Sequence, residues 1–200
     1  MEWTFSNLDE LPSLIWQSLE RGCKELDHPF RTPVFGTADE WAASLRTVVL
    51  RGVDPSRRLL TCHTDFRSQK IRHLWRNPQA QWLFYDARSK IQLRASGLCS
   101  LHHGDDVARK AWLNTPLASR ANYCSLLPPG EMISNADAAY TPGWKASEPT
   151  VQQAEAGWPN FAVIVTTVDS FDWLQLRIEG HRRAGFTWTG ERLVANWIAP

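Results

Sequence analysis

The sequence has no excess of charge of either sign. Its 22 Lys and Arg residues balance 21 Asp and Glu residues, which leaves a formal net charge of +1. Proteins that bind nucleic acid non-specifically normally carry a basic excess or a basic stripe, so this balance argues against that class. No apolar run approaches the roughly 20 residues that a membrane-spanning helix needs. We therefore expect neither a nucleic-acid partner nor a membrane.

Cysteine is scarce and unpaired in sequence. Cys23, Cys62, Cys99 and Cys124 are far apart, and no two of them form a C-x-x-C pair. The first residues are acidic and lack the apolar core of a secretion signal. The expectation is a cytoplasmic protein with free buried thiols.

Several signature motifs are also absent. The sequence has no G-x-G-x-x-G, G-x-x-x-x-G-K-[S/T], H-E-x-x-H or G-x-S-x-G, which argues against the nucleotide-binding, metalloprotease and hydrolase classes that these motifs mark. The six histidines do not fall at metal-ligand spacing. His102 and His103 are adjacent and would point to opposite faces of a strand, so they are not expected to bind one ion. No metal site is predicted.

Tryptophan, in contrast, is abundant, with 11 residues. Each tryptophan has a large apolar body and a single polar N–H group. Most of them are expected in the core or at an interface, and one or two could form the wall of an aromatic ligand site.

The spacing of apolar residues predicts a mainly β protein of the α+β type. Leu8, Leu11, Ile15 and Leu19 recur at helical spacing, which indicates an amphipathic helix over residues 7–24. Further helices are predicted over 68–77, 105–113 and 117–127, and a loop-rich insertion over 131–160 with a short helix at 151–156. Strands are predicted over 41–51, 58–63, 81–85, 91–101, 161–168, 173–178, 186–189 and 193–198. Many short antiparallel strands are typical of a closed or split barrel, here as a single domain over residues 1–200.

Cationic and hydroxyl residues lie at predicted strand and helix ends. Arg46 opens an apolar strand, and Thr64, Arg67, Ser68 and Lys70 follow the next strand where a helix begins. A helix N-terminus offers free N–H groups and a positive dipole end, and nearby Arg, Lys and Ser strengthen such an anion site. A phosphate site is one interpretation. A helix start with ordinary surface charge is the commoner one.

The order of these residues resembles the FMN-binding half of the pyridoxamine 5'-phosphate oxidase family. The family strand R-x-V-L-L-K stands here as R-T-V-V-L-R at 46–51, and the later S-R-K run stands as S-Q-K at 68–70. N-P-x-A occurs at 77–80, and an R-Q-V strand that ends in glycine corresponds to 91–97. The family's C-terminal tryptophan strand and R-L-H-D-R turn correspond to Trp173 and to E-G-H-R-R at 179–183.

This resemblance implies an FMN-binding split β-barrel of antiparallel Greek-key type, with FMN at the interface of a homodimer. It assigns the FMN phosphate to Arg46, Ser68 and Lys70. It assigns the ribityl chain and flavin to Val48, Val49, His63 and Thr64, and the ring edge to Gln92. Trp173 and Arg183 would close the site from the second subunit. The substrate would contact Arg51, Arg120 and His181, with His181 and Arg183 as the catalytic residues.

The activity that the resemblance implies is that of an FMN-dependent oxidoreductase. A hydride would pass from a small substrate to flavin N5, and oxygen would reoxidise the flavin. Glu179 stands where the family has a substrate-contacting arginine. Gln69 replaces an arginine beside the phosphate, for which Arg67 is a candidate substitute. These departures open a second hypothesis, a non-catalytic FMN-binding or flavin-sensing protein. A third, a barrel that binds single-stranded nucleic acid through exposed aromatics, is disfavoured by the neutral charge.

Overall fold

The computed structural model describes residues 3–136, 138–141 and 149–200. Within these ranges lie the helices α1 (Leu11–Lys24), α2 (Gln69–Arg76), α3 (Asp106–Leu113), α4 (Leu117–Arg120) and α5 (Val151–Glu155). The strands are β1 (Val34–Ala38), β2 (Ala43–Thr47), β3 (Leu50–Asp54), β4 (Leu59–Asp65), β5 (Gln79–Asp86), β6 (Ile91–His102), β7 (Phe161–Gln175), β8 (Arg182–Thr189) and β9 (Arg192–Ile198). None of the described helices is both long and apolar enough to cross a membrane.

One antiparallel sheet joins all of these strands. Its order is β2-β1-β5-β6-β7-β4-β3, and β8 and β9 branch from β7. The branch is possible because β7 is 15 residues long. β4 pairs with residues 161–167 of β7 and β8 pairs with residues 170–175 along the same edge, while β6 occupies the other edge. The predicted antiparallel split-barrel architecture is confirmed.

A bulge allows β7 to follow both parts of the sheet. The register between β6 and β7 shifts between Ser96 and Gly97, and Asp169 is the extra residue on β7. Residue 97 must be glycine, because a Cβ there would lie 2.1 Å from the carbonyl oxygen of Thr167. An extra residue bends a strand, and it also exchanges the two faces for every side chain beyond it.

The core lies between α1 and the sheet. Leu11, Ile15 and Leu19 of α1 are fully buried, as their helical spacing predicts. They share one hydrophobic cluster with the sheet residues Phe35, Trp82, Phe84, Leu93, Trp173 and Phe186. A smaller cluster of Ala108, Trp112, Phe161 and Val163 packs α3 against β7.

Some predicted elements differ from the structure. The strand predicted over 41–51 is interrupted at Val48 and Val49 and forms both β2 and β3, and the two strands predicted within 161–178 form the single strand β7. The helix predicted over 117–127 ends at Arg120 and is followed by the 3₁₀ turn Ala121–Tyr123. The helix near 151–156 is confirmed as α5. Residues 137 and 142–148 of the predicted loop lie outside the described residues.

Candidate functional site

The interruption between β2 and β3 opens a cleft at the surface of the sheet, which we call the cationic cleft. Val48 leaves the strand ladder and donates its backbone N–H to the carbonyl of Pro33 at 3.0 Å. The cleft has a volume of about 320 Å³. It is lined by Thr32, Thr47, Val48, Val49, His63, Thr64, Asp65, Lys70, Asn122, Tyr123 and Pro129. The structure thus brings together Val48, Val49, His63, Thr64 and Lys70, which the resemblance assigned to one site.

Lys70 is the cation that lines this cleft. Its Nζ donates to Thr64 Oγ1 at 2.9 Å and to Ser68 Oγ at 3.3 Å. Ser68 is the N-cap residue of α2, yet its hydroxyl makes no capping hydrogen bond. It lies instead 3.2 Å from Thr64 Oγ1. One ammonium, two hydroxyls and an uncapped helix N-terminus therefore meet at one place, which is the chemistry of an anion site.

A second cation, Arg46, is not among the lining residues but lies close enough for its charge to act on Lys70. Its guanidinium donates to the carbonyl of Phe35, to Thr37 Oγ1, and to both the carbonyl and the hydroxyl of Ser44, at 2.6–3.2 Å. These contacts fix the guanidinium in place without neutralising it. Burial lowers the pKa of Arg46, and burial followed by the charge of Arg46 lowers the pKa of Lys70. Two partly buried cations that repel each other favour an anion bound near them.

The nearest carboxylate, that of Asp65, is already paired. Arg67 binds it in two-point fashion, with Nε 3.0 Å from Oδ1 and Nη2 2.8 Å from Oδ2. Arg67 also donates to the carbonyls of Ser125 and Leu126. The expectation that Arg67 substitutes for the family arginine at Gln69 is therefore wrong. Arg67 attaches the segment around residue 125 to the end of β4, and this segment continues to Pro129 at the cleft wall.

His63 forms a wall of the cleft with an unpaired polar atom. Its Nδ1 is buried and has no hydrogen-bond partner among the described residues. Burial, and second the charge of Arg51, lowers its pKa from 6.5 to about 4. The ring packs edge-on against Phe161 with 4.9 Å between centroids. At neutral pH the ring is therefore uncharged, and it offers one nitrogen to a ligand.

Gln92 and Arg183 lie elsewhere, on the outer face of the sheet. Gln92 is the register partner of Leu174, and Leu174 is the register partner of Arg183. Arg183 makes a two-point ion pair with Asp172, which also accepts a hydrogen bond from Arg94. Counted along β7, Leu174 is eleven residues beyond Val163, the register partner of His63, which is about 36 Å of extended chain. Neither residue reaches the cleft of its own chain.

Trp173 is not part of this outer face. It is fully buried, and its ring packs against Trp3 and Phe5 with centroids 6.1 and 5.7 Å away. Its register partner on β8 is Ala184, so its side chain is on the opposite face from Arg183. The prediction that Trp173 closes a cofactor site together with Arg183 is wrong. Leu174 takes the outward position.

Arg120 is also committed elsewhere. It is buried and donates to the carbonyls of Thr115 and Leu113 and to Glu155 Oε1, the last at 2.7 Å. Its guanidinium stacks over the ring of Trp112 at 5.1 Å. A guanidinium with all of these partners holds α4 to α5 and has no free edge for a substrate anion, so the predicted substrate contact is wrong.

The remaining assigned residues have clear positions. Arg51 lies on β3 near the cleft, close enough for its charge to affect the pKa of both His63 and Tyr123. His181 is exposed in the β7–β8 turn, where its Nδ1 accepts the backbone N–H of Arg177 at 3.1 Å. Like Arg183, it does not lie at the cleft of its own chain.

Several residues at the cleft escaped the sequence reasoning. Ser44, which accepts hydrogen bonds from Arg46, stands two residues before it. Residues at this spacing in a strand share one face, so the contact could have been predicted from the sequence. Asn122, Tyr123 and Pro129 come from a distant segment that only tertiary contacts, such as those of Arg67, bring to the site. No local pattern marks them.

Residues 13–103 match the family model described as pyridoxamine 5'-phosphate oxidase, FMN-binding domain. The matched segment runs through β6. It therefore contains His63, Thr64 and Lys70 of the cationic cleft, the nearby Arg46, and Gln92 on the outer face.

Solved structures share the fold. A pyridoxamine 5'-phosphate oxidase-related, FMN-binding protein from Nostoc punctiforme has a TM-score of 0.73 at 23% identity, over 94% of this chain and 96% of its own. PhzG from Burkholderia lata, in complex with tetrahydrophenazine-1-carboxylic acid, has a TM-score of 0.76 at 16% identity, over 100% and 99%. A putative pyridoxamine 5'-phosphate oxidase from Listeria innocua has a TM-score of 0.50 at 18% identity, over 81% and 96%. At such identities the likeness establishes the fold alone.

Proposed function

We propose that this chain, whose residues 13–103 match the model of the pyridoxamine 5'-phosphate oxidase FMN-binding domain, is an FMN-dependent oxidoreductase. The observation that carries the proposal is the pair of Lys70, which lines the cationic cleft, and Arg46, whose charge acts on Lys70. Both are partly buried, and neither forms an ion pair with a carboxylate of the described chain. A phosphate monoester is the ligand that such a pair, two hydroxyls and a helix N-terminus would hold.

The cleft also suits the rest of an FMN molecule. Val48 and Val49 offer apolar surface and backbone groups at the strand break. The unpaired Nδ1 of His63 is a buried polar atom that a hydroxyl or ring carbonyl can satisfy. Arg46, Ser68 and Lys70 would hold the phosphate, and His63 and Thr64 would contact the groups beyond it.

Bound FMN supplies the redox chemistry, in which a hydride from a small substrate is accepted and oxygen is the final acceptor. The chain's own groups position the ligands and set the charge around the flavin site. Neutral His63 can donate or accept a hydrogen bond without adding charge beside the flavin site. Arg51 provides a fixed positive charge near it, which favours electron-rich groups.

We propose further that the complete site is formed by two copies of the chain. Gln92 and Arg183 share one outer row with Leu174, far from the cleft of their own chain. If the row of one copy covers the cleft of the other, both residues come from the partner, since they are register neighbours on one face. His181, in the turn beside this row, would then arrive with them.

The first test is the absorbance spectrum and the extracted cofactor of the purified protein. We expect a flavin spectrum and stoichiometric FMN, and loss of both in the Arg46→Ala, Lys70→Ala double variant. The control is Arg72→Ala, which removes an exposed cation from the same helix as Lys70. Full FMN content in the double variant would exclude this site. Oxygen consumption with candidate substrates then tests turnover.

A mixed dimer tests the shared site. One copy carries Arg46→Ala and Lys70→Ala, and the other carries Gln92→Ala and Arg183→Ala. A site built across two copies leaves one intact site per mixed dimer, so half of the wild-type FMN content is expected. A site built within one chain would leave none intact, and the mixture would bind no more FMN than either variant alone.

The alternative is an FMN-binding protein without turnover. It is favoured by Arg120, whose guanidinium is fully used in holding Glu155 and two carbonyls. Stoichiometric FMN together with no reduction by pyridoxine phosphate, pyridoxamine phosphate or NAD(P)H would support this alternative and count against the oxidoreductase.

A further inference from the structure

A buried series of polar side chains leads from Arg46 to helix α2. The first member is Thr37 of β1, which is buried and whose hydroxyl accepts a hydrogen bond from Arg46 Nη1 at 2.8 Å. The second is His73 of α2, which is also buried and whose Nδ1 lies 3.1 Å from the same hydroxyl. Beyond it, Asp39 Oδ2 lies 3.6 Å from His73 Nε2. We call Thr37, His73 and Asp39 the support chain of Arg46.

Hydrogen bonding along the support chain runs in one direction. A guanidinium can only donate, so the hydroxyl of Thr37 accepts from Arg46 and keeps its own proton for a second partner. The Oδ1 atom of Asp39 accepts two backbone N–H groups of the β1–β2 turn, at 2.9 and 2.8 Å, and these bonds lower the pKa of Asp39. A charged carboxylate beside Nε2 favours the tautomer of His73 that has its proton on that nitrogen. Nδ1 is then left to accept the proton of the Thr37 hydroxyl.

The support chain joins the two elements that carry the proposed phosphate-binding cations. Arg46 and Thr37 belong to the hairpin of β1 and β2. His73 follows Lys70 by three residues on α2, so both lie on one side of the helix. In the described part of the chain, His73 makes the only polar side-chain contacts between this hairpin and α2, to Thr37 and to Asp39. The position of Arg46 relative to Lys70 therefore depends on His73.

The support chain leaves one edge of the Arg46 guanidinium available. Nη1 donates to Thr37 and to two backbone carbonyls, whereas Nη2 donates to Ser44 Oγ at 2.6 Å. Nε makes no hydrogen bond within the described residues. Nε and one N–H of Nη2 therefore remain for a ligand. Arg183 uses the same two nitrogens to hold the carboxylate of Asp172, so this edge suits an anion with two oxygens.

Packing alone does not require a histidine at position 73. Burial of an imidazole costs free energy unless its nitrogens find polar partners. A leucine would fill the same space without that requirement. Both nitrogens of His73 instead face the support chain, which ends on the cation that the cleft needs.

We propose that His73 and Thr37 are positioning residues that make the cationic cleft select phosphorylated flavins. His73 orients the hydroxyl of Thr37, and this hydroxyl holds Nη1 of Arg46 so that the Nε–Nη2 edge is free to meet the phosphate. The proposal rests on the proposed FMN function and deepens it. Neither residue belongs to the motifs that carry the family resemblance. Neither is among the residues that line the cleft, so their effect must reach the ligand through Arg46.

The test is the ratio of the affinities for FMN and riboflavin, two ligands that differ only in the phosphate. His73→Leu removes both ring nitrogens and should lower the wild-type preference for FMN by about fivefold, the effect of one ordinary hydrogen bond. Riboflavin affinity should change by less than about twofold, since no phosphate contact is involved. Titration of the apoprotein with each ligand, followed by flavin fluorescence, measures both affinities. An equal loss of both would overturn the proposal.

Further variants separate the hydrogen-bond route from packing. His73→Asn places an amide oxygen near the position of Nδ1 and should restore the preference for FMN. Thr37→Val removes the hydroxyl at nearly constant shape and should lower the preference as His73→Leu does. In the Arg46→Ala background, His73→Leu should make no further difference, because its effect passes through Arg46. No recovery in His73→Asn, or a fully additive loss in the Arg46→Ala background, would overturn the proposal.

Leu74→Ala is the matched control for lost stability. Leu74 is the next residue of α2 and is buried in the main core, so its truncation weakens the same helix without touching the support chain. This variant should have a lower Tm and the wild-type preference for FMN. A wild type that binds no FMN would overturn the proposed function and this proposal with it. A wild type that prefers FMN, with the same preference in His73→Leu and Thr37→Val, would overturn the positioning role alone.

Discussion

Replacing Lys70 by Met separates the binding role of this cation from any structural one. Lys70 Nζ donates to Thr64 Oγ1 and Ser68 Oγ, but its pKa is lowered, first by burial and then by Arg46. A lowered pKa means that the folded apoprotein disfavours the ammonium form. We therefore expect Lys70→Met to leave the free energy of unfolding of the apoprotein unchanged or higher.

The same substitution, Lys70→Met, should weaken FMN binding. A charge-assisted hydrogen bond to phosphate contributes about 1.5–3 kcal/mol, so the Kd for FMN should rise by a factor of about 10–150. The wild-type affinity should itself fall as the pH rises through the lowered pKa of Lys70, because the ammonium loses its proton. Lys70→Met should lack that part of the pH dependence.

Titration of apoprotein with FMN, followed by flavin fluorescence from neutral to alkaline pH, measures the affinity. Urea unfolding of the same apoproteins measures stability. Arg72→Met, exposed on the same helix, is the matched control and should alter neither quantity. The reasoning is refuted by an unchanged Kd in Lys70→Met, or by a loss of apoprotein stability as large as the loss of binding energy.

Three further predictions concern the framework. Because the pKa of His63 is lowered to about 4, the unfolded apoprotein takes up a proton at this residue before the folded one does. The free energy of unfolding should therefore fall by about 3 kcal/mol between neutrality and about pH 4. Urea unfolding of the wild type and of His63→Gln at several pH values compares how steeply stability changes with pH. Arg120→Met should lower the free energy of unfolding by about 1–3 kcal/mol at unchanged FMN per folded chain, since the carbonyls of Thr115 and Leu113 lose their donor. Urea unfolding measures the stability, and flavin content measures the bound FMN. Gly97→Ala should reduce Tm sharply, whereas Gly185→Ala, with 3.6 Å of room, should not.

Local signals made much of the cleft predictable from sequence. Arg46, Thr64, Ser68 and Lys70 belong to a strand end and a helix start, and their neighbours in sequence are also their neighbours in space. The break at Val48 was not predictable in this way. The apolar run from residue 46 to 51 satisfies a continuous strand, and only the backbone bond of Val48 to Pro33 reveals the interruption.

The error on Arg120 has a different physical cause. Its partners are Glu155 and two carbonyls, and Glu155 lies 35 residues away in the sequence. A sequence pattern reports that a cation is present but not whether a distant carboxylate neutralises it. The expectation for Arg67 was wrong for the same reason at short range, since its guanidinium is paired with Asp65, two residues before it in the sequence.

The inward position of Trp173 follows from the bulge in β7, which the motif spacing that suggested its role does not report. Before the bulge the side chains on the main-core face are at even positions, such as Ala162 and Ile164, and beyond it they are at odd positions, Phe171 and Trp173. If the alternation of side chains between the two faces continued unbroken along β7, Trp173 would point outward. The extra residue Asp169 reverses this alternation. The same reversal turns Leu174 outward, where it lies beside Gln92 and Arg183. Gly97, by permitting the bulge, therefore determines which side chains this outer face presents.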